Sequence, residues 1–269
     1  MIIIGEKLNG SIPSIGKAIA ERNEKRIRSL AVKQEKAGAD YLDVCASVPE
    51  SEEVETLKWM LGLVQAASDL PICLDSPSPD TIVKAMPFVN KPGLINSVSM
   101  EGDKIAKIFP VIADTRWKCI ALCSDENGIP DTAYKRLKVF ERILAEADRH
   151  GISHNRLFID PLVEMLCTSE DGIQVILETI RGIRAMDADV HIIGAVSNIS
   201  FNLPIRALIN QTFAALAIGA GMDAGIIDPL NRDLIGSIYA AEACMGLDDY
   251  CMEYIGAFRE GRIGPLTKE

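Results

Sequence analysis

Seven apolar runs in this chain end on an acid or an amide. They are Ile2-Ile3-Ile4-Gly5-Glu6, Tyr41-Leu42-Asp43, Ile72-Cys73-Leu74-Asp75, Leu94-Ile95-Asn96, Leu157-Phe158-Ile159-Asp160, Ala195-Val196-Ser197-Asn198 and Gly225-Ile226-Ile227-Asp228. A carboxylate accepts hydrogen bonds at two oxygens, and a carboxamide both donates and accepts. A ring of such groups, with hardly any Lys, Arg or His among them, suits a neutral ligand rich in N–H donors. A lone Asp after a strand is commonly a helix cap or turn residue, so the repetition carries the meaning. Ser78 offers a separate cap after Asp75, and Pro161 holds Asp160 in extended backbone. Asn198 is followed by Ser200-Phe201-Asn202-Leu203-Pro204, a loop longer than turning the chain requires.

The elements that must position these residues follow from the pattern. Apolar runs of this length, separated by helical stretches, read as buried parallel strands. Strands are expected at 2–8, 40–46, 71–75, 93–98, 118–123, 156–160, 190–197 and 224–228. Helices are expected at about 13–37, 51–68, 79–88, 103–115, 131–150, 170–186, 206–220 and 232–246. Ser78-Pro79-Asp80, Ser169-Glu170-Asp171 and Asn231-Arg232-Asp233 resemble helix starts, while Gly38 and Gly151 stand where C-caps belong. Eight such units predict an α/β fold: one (β/α)8 TIM barrel over 1–269, with 247–269 a C-terminal helix and tail. An open doubly wound sheet shares the alternation, but eight units without interruption favour closure. In a closed barrel the seven polar ends converge on one mouth.

Bulk properties narrow the partners. A hydrophobic content of 48% fills a large core, and a net charge of −10 argues against nucleic acid or an anionic membrane. No apolar run approaches the ~20 residues of a membrane span, and the start has no basic signal-peptide region. Seven cysteines, scattered and odd in number, fit a reduced cytoplasmic protein. His150 and His154 are separated by the helix-breaking Gly151, and His191 begins a strand at the barrel floor. No metal site is therefore expected. Gly219-Ala220-Gly221 precedes the eighth strand and reads as a helix cap, not a phosphate grip.

Six short motifs in order carry a family resemblance. Gly5-Glu6-Lys7-Leu8-Asn9-Gly10, Leu42-Asp43, Cys73-Leu74-Asp75-Ser76, Ile95-Asn96-Ser97, Ile159-Asp160-Pro161-Leu162 and Ser197-Asn198-Ile199-Ser200-Phe201 resemble the pterin-binding barrels. Within them the chain looks most like the methyltetrahydrofolate–corrinoid protein methyltransferases. The likeness continues through Pro204-Ile205-Arg206 and Ile209-Asn210-Gln211-Thr212-Phe213. It implies that Asp75, Asn96 and Asp160 bind the pterin and that Asn198 is the catalytic, methyl-transfer residue, also touching the pterin. Phe201 and Arg206 would face the corrinoid or the folate. That family commonly has Asn where this chain has Cys45.

The implied substrate is tetrahydrofolate or its methyl form, with the corrinoid carried by a separate protein. Breaking a methyl–nitrogen bond needs a hydrogen bond or proton at N5, and an amide such as Asn198 can donate the hydrogen bond without ionising. Dihydropteroate synthases share the barrel and its Asp/Asn pattern. They also use basic residues on late strands, where this chain has Asp228. A folate carrier would need the pterin residues but no long loop after Asn198. The resemblance also implies a homodimer, for which the apolar runs Phe213-Ala214-Ala215-Leu216-Ala217-Ile218 and Ile238-Tyr239-Ala240-Ala241 supply a face; the C-terminal helix is the alternative cover.

Overall fold

The computed structural model describes residues 1–265. Eight parallel strands pair in the order β7-β6-β5-β4-β3-β2-β1-β8. They are β1 (Ile2–Asn9), β2 (Tyr41–Cys45), β3 (Ile72–Asp75), β4 (Leu94–Met100), β5 (Lys118–Asp125), β6 (Leu157–Asp160), β7 (His191–Ile192) and β8 (Ala224–Ile227). The seam between β7 and β8 is drawn together by a bridge from Ala195 to Ile226. Ile226 N–H donates to Gly194 C=O at 3.0 Å and Asp223 N–H to Ile192 C=O at 3.2 Å. The sheet is thereby a (β/α)8 barrel with its helices outside.

The helices are α1 (Pro13–Ala20), α2 (Glu24–Lys36), α3 (Glu50–Gln65), α4 (Pro79–Ala85), α5 (Lys104–Ile112), α6 (Ala133–Arg149), α7 (Gly172–Met186), α8 (Arg206–Ala220), α9 (Arg232–Cys244) and α10 (Met252–Arg259). Ser78 and Asn231 cap α4 and α9 with their side chains, as the sequence predicts. Gly38 and Gly151 take positive φ after their helices. Three expectations need correction. The helix expected over 13–37 is two, because Arg22 turns left-handed and the Asn23 side chain caps a new start. Asp171 stands at the start of α7 without a side-chain cap bond. The strand expected over 190–197 is regular only at His191–Ile192; a single bridge at Ala195 follows, and the chain then coils into a 3-10 turn at Val196–Ser200. The expected terminal helix runs over Met252–Arg259; 266–269 lie outside the described residues.

Two apolar layers form. One lies between the sheet and the helices. The other fills the barrel: Ile2 and Ile4 (β1), Tyr41 (β2), Cys73 (β3), Leu94 (β4), Ile120 and Leu122 (β5), Phe158 (β6), Ile193 just past β7, and Ala224 and Ile226 (β8). Seven strands and the residue just past β7 contribute to this plug, so the lumen is closed below the mouth. Close packing between β3 and β4 fixes which polar groups meet above it. A Cβ on Gly93 would lie 2.0 Å from the Ile72 carbonyl oxygen, a backbone atom that cannot swing aside. Gly93→Ala should destabilise the chain by at least ~1–3 kcal/mol, the scale of core overpacking. Urea unfolding checks this, and an unchanged midpoint would show that β3 and β4 have room to separate.

Candidate functional site

Side chains along a strand alternate between the two faces of a sheet. The residue two positions beyond each plug residue therefore points into the barrel one layer higher. That step leads from Ile4 to Glu6, Tyr41 to Asp43, Cys73 to Asp75, Leu94 to Asn96, Phe158 to Asp160 and Ile226 to Asp228. A polar ring thus rests directly on an apolar plug. Cys45, Asp75 and Asn96 are consecutive partners in register across β2, β3 and β4. Asp160 stands opposite Leu122 on β6.

Asp43 is 2% exposed and accepts a hydrogen bond from Asn96 Nδ2 at 3.2 Å, which fixes the direction of the Asn96 amide. Burial raises the Asp43 carboxyl well above its ordinary range, and the Asp75 charge adds to this. Burial also raises Asp75 to about 6, partly offset by the Cys45 side chain beside it. Asp160 goes up to about 6 for the same reason, although its Oδ1 accepts from Leu162 N–H at 2.7 Å. Glu6 rises to about 7 through burial and the neighbouring Asp228 carboxylate. The Cys45 thiol is pushed up by burial, with the Asp75 charge adding to it; its Sγ lies 3.2 Å from Ser47 Oγ. Desolvation is the largest cause at each of these groups and outweighs the nearby cations, Lys7 and Arg206 at Glu6 and Arg136 at Asp160.

The cations stand around the ring. Buried Arg136 (1% exposed) braces the loop after Asp160, donating to Pro130 C=O at 2.9 Å, Pro161 C=O at 2.6 Å and Leu162 C=O at 2.8 Å, and pairing with Glu164. Lys7 Nζ meets Asp228 Oδ2 at 3.1 Å. Arg206 donates to Ser197 C=O at 2.7 Å and Ser200 Oγ at 2.9 Å while its guanidinium lies 4.6 Å from the centre of the exposed Phe201 ring. These contacts fasten the 3-10 turn that carries Asn198. Asn198 closes that turn with its backbone, accepting from Phe201 N–H at 3.2 Å. Its side-chain amide makes no hydrogen bond among the described residues, so a ligand can engage it.

Of the residues singled out from sequence, Asp75, Asn96 and Asp160 belong to the ring. Asn198 enters from the turn after β7 instead of from a strand end, and Phe201 and Arg206 form a stacked pair on the same turn. Glu6, Asp43 and Asp228 are ring members that received no role in the sequence reading. The signal for them was present, since all three close apolar runs in the pattern that defined the mouth.

Elsewhere, a cavity of about 490 Å³ over the loop between β5 and α6 is walled by Asp125, Asp131, Lys135 and Arg142. Its Lys135 and Arg142 are already paired with Asp131 at 2.8 Å and Asp125 at 2.7 Å. No cluster of three or more His, Cys, Asp or Glu side chains with metal-binding geometry occurs among the described residues. His154 pairs with Asp187 at 2.5 Å and Asp148 at 3.0 Å, not with His150.

Residues 7–228 match the family model described as pterin binding enzyme. The chain belongs to that family of pterin-binding enzymes. A methylcorrinoid:tetrahydrofolate methyltransferase of Eubacterium limosum is 45% identical over 268 residues, covering 99% of both chains. The methionine synthase of Mycobacterium tuberculosis is 28% identical over 251 residues, which span 86% of this chain but 21% of that protein. In fold, a Xanthomonas albilineans dihydropteroate synthase in complex with 7,8-dihydropteroate superposes with a TM-score of 0.65 at 17% identity, over 90% of this chain and 92% of that one.

The raised carboxyls make a signed prediction for stability. Asp160 titrates at 3.8 in an ordinary setting and at about 6 when buried here. A raised carboxyl favours folding fully below its unfolded value and loses that contribution as pH rises through the folded one. Asp160→Asn keeps the acceptor for Leu162 but cannot ionise. Its stability relative to the wild type should climb between about pH 4 and 6, then level off at about 3 kcal/mol at 1.36 kcal/mol per pH unit. Urea unfolding at pH 5 and pH 8 reads this; equal differences at both would show that Asp160 is already ionised by pH 5.

Proposed function

We propose that this chain moves a methyl group between N5 of tetrahydrofolate and the cobalt of a corrinoid carried by a separate protein. The carrying observation is the ring of desolvated Asp and Asn side chains above an apolar plug, with a free carboxamide beside it. Full-length similarity at 45% identity to an enzyme named for that reaction supports the same reading. On this reading 1–269 is one pterin-binding barrel domain.

A pterin presents the 2-amino group and adjacent ring N–H as a donor edge, which a carboxylate receives in two-pronged fashion. Asp75 and Asp160 take such donors, and Asn96, its amide oriented by Asp43, pairs with a mixed edge. Binding supplies the partners whose absence keeps these carboxyls raised to about 6. The plug below gives the flat ring an apolar floor.

Asn198 donates to N5 as charge develops there during cleavage or formation of the methyl–nitrogen bond. Phe201 and Arg206 face outward to the arriving corrinoid or the folate tail. No helix among the described residues is long and apolar enough to cross a membrane. Seven unpaired cysteines support a reducing, cytoplasmic setting.

The direct test is methyl exchange between methyltetrahydrofolate and free cob(I)alamin. Asn198→Ala should slow this exchange by roughly 100-fold, the scale for one preorganised donor, while the folate Kd changes far less. Normal turnover with weakened binding would make Asn198 a pterin anchor only. Absence of exchange in the wild type would remove the methyltransferase reading.

We further propose a homodimer through α8 and α9. α10 packs on α9 with Ala257 buried, yet Leu208, Leu216, Met245 and Leu247 remain exposed. The C-terminal helix is therefore an incomplete cover for that face. Light scattering should return twice the 29.3 kDa chain mass; a monomer at micromolar concentration would contradict this.

A further inference from the structure

Around the mouth the ring divides into two arcs. On the proposed reading, on which this inference rests, the pyrimidine edge of the pterin is held by Asp75 on β3, Asn96 on β4 and Asp160 on β6. The N5 edge then faces the remaining arc, made by the turn after β7, by β8 and by β1. The charged groups there are Glu6 and Lys7 on β1, Asp228 beyond β8, and Arg206 at the start of α8. Asp43 approaches from β2.

Lys7 and Asp228 neutralise each other at 3.1 Å. Arg206 is spent on the Ser197 carbonyl and the Ser200 hydroxyl. Asp43 is engaged by the Asn96 amide, which donates to it at 3.2 Å. Glu6 is the acid left over. It makes no ion pair among the described residues, and the register of β1 on β8, with Gly5 opposite Ile227, sets it beside Asp228 at the edge where β8 meets the turn carrying Ser197 and Asn198.

The reaction needs such a group. When tetrahydrofolate is methylated, the N5 lone pair forms the bond to the methyl carbon and the cobalt–carbon pair returns to cobalt as cobalt(I). The N5–H proton must then leave. In the opposite direction the methyl carbon passes to cobalt(I), the nitrogen keeps the bonding pair, and a proton must arrive. Asn198 can stabilise the nitrogen by donating a hydrogen bond, but a carboxamide neither takes nor gives a whole proton at neutral pH.

We propose that Glu6 is the proton carrier of the methyl transfer, taking the N5 proton through the Ser197 hydroxyl when tetrahydrofolate is methylated and returning it by the same route in the reverse reaction, while Asn198 only donates its hydrogen bond to the nitrogen. Its environment suits the task, because burial and the Asp228 charge hold it to about 7 where both protonation states are populated. Lys7, Arg206 and Ser197 act in the opposite sense and keep the value from climbing further.

The test is the pH profile of methyl transfer from methylcobalamin to tetrahydrofolate, and of the reverse reaction, from pH 5 to 9. Tetrahydrofolate Kd is measured alongside by calorimetry. Glu6→Gln should leave the Kd within about threefold, lower the rate roughly 100-fold as for loss of a general base, and erase the inflection near neutrality. Glu6→Asp should restore the inflection at a reduced rate, which a merely structural role would not do. A Gln variant that keeps both rate and inflection, or one whose rate falls only in step with its Kd, overturns the assignment. A wild type that binds folate but transfers no methyl group removes the parent reading and this one with it; an active wild type with an indifferent Gln variant removes this one alone.

Discussion

Strand alternation is the constraint from which the site follows. In a closed parallel barrel every second side chain points inward, and this barrel fills its lower interior with Ile, Leu, Tyr, Phe, Cys and Ala from seven strands and from Ile193 just past β7. The next inward layer has nowhere to go but the floor of the mouth. Placing Glu6, Asp43, Asp75, Asn96, Asp160 and Asp228 there seats them on hydrocarbon, with water able to reach them from one side only. Their affinity for donor-rich ligands is a consequence of that seating, since burial that outweighs the nearby cations leaves carboxyls under-solvated.

Electrostatic order along the barrel axis follows from the same constraint. At the floor, Lys118 Nζ lies 5.6 Å from the Phe158 ring and His191 pairs with Asp223 at 2.8 Å. At the mouth the acids cluster, and the nearby cations brace backbone or answer one acid each. Arg136 shows the division most clearly: it is wholly buried, yet it spends itself on three carbonyls and Glu164, which stiffens the loop behind Asp160 without reaching that carboxylate. A guanidinium on Asp160 itself would lower its pKa and occupy the acceptor that a ligand needs. The ring therefore combines rigidity with unsatisfied acceptors, the state that gives binding a large polar reward.

Much of this was legible in the chain. Eight apolar runs set the barrel, and the acid or amide closing seven of them marked the mouth. Ser78 as the α4 cap freed Asp75 from that duty, as its 3.3 Å bond from Thr81 N–H bears out. What escaped notice has physical causes. The run from Val190 to Ser197 is apolar enough for a long strand, but the regular strand ends at Ile192 and only a single bridge at Ala195 continues it. The turn that follows is fastened by Arg206, a residue beyond the loop, so no local pattern announces it. The break between α1 and α2 did leave a sign, Asn23 before Glu24, which the continuous helical pattern masked. Glu6 lies inside the first strand instead of at its end, and only knowing which face is inward separates it from Lys7. The one-residue register shift between Gly5 and Leu8 shows that β1 departs from regular pleating at that pair.

The buried Asp75 and Asp160 carboxyls, raised to about 6, await the N–H donors of a pterin. Calorimetric titration of methyltetrahydrofolate at pH 6, in buffers of different ionisation enthalpy, counts the protons exchanged on binding. Asp75 and Asp160 both stand at about 6 in the free chain. A pterin that grips them as carboxylates should release protons to the buffer, and the release should fade by pH 8. Binding with no proton release at pH 6, or no binding at all, would contradict the account.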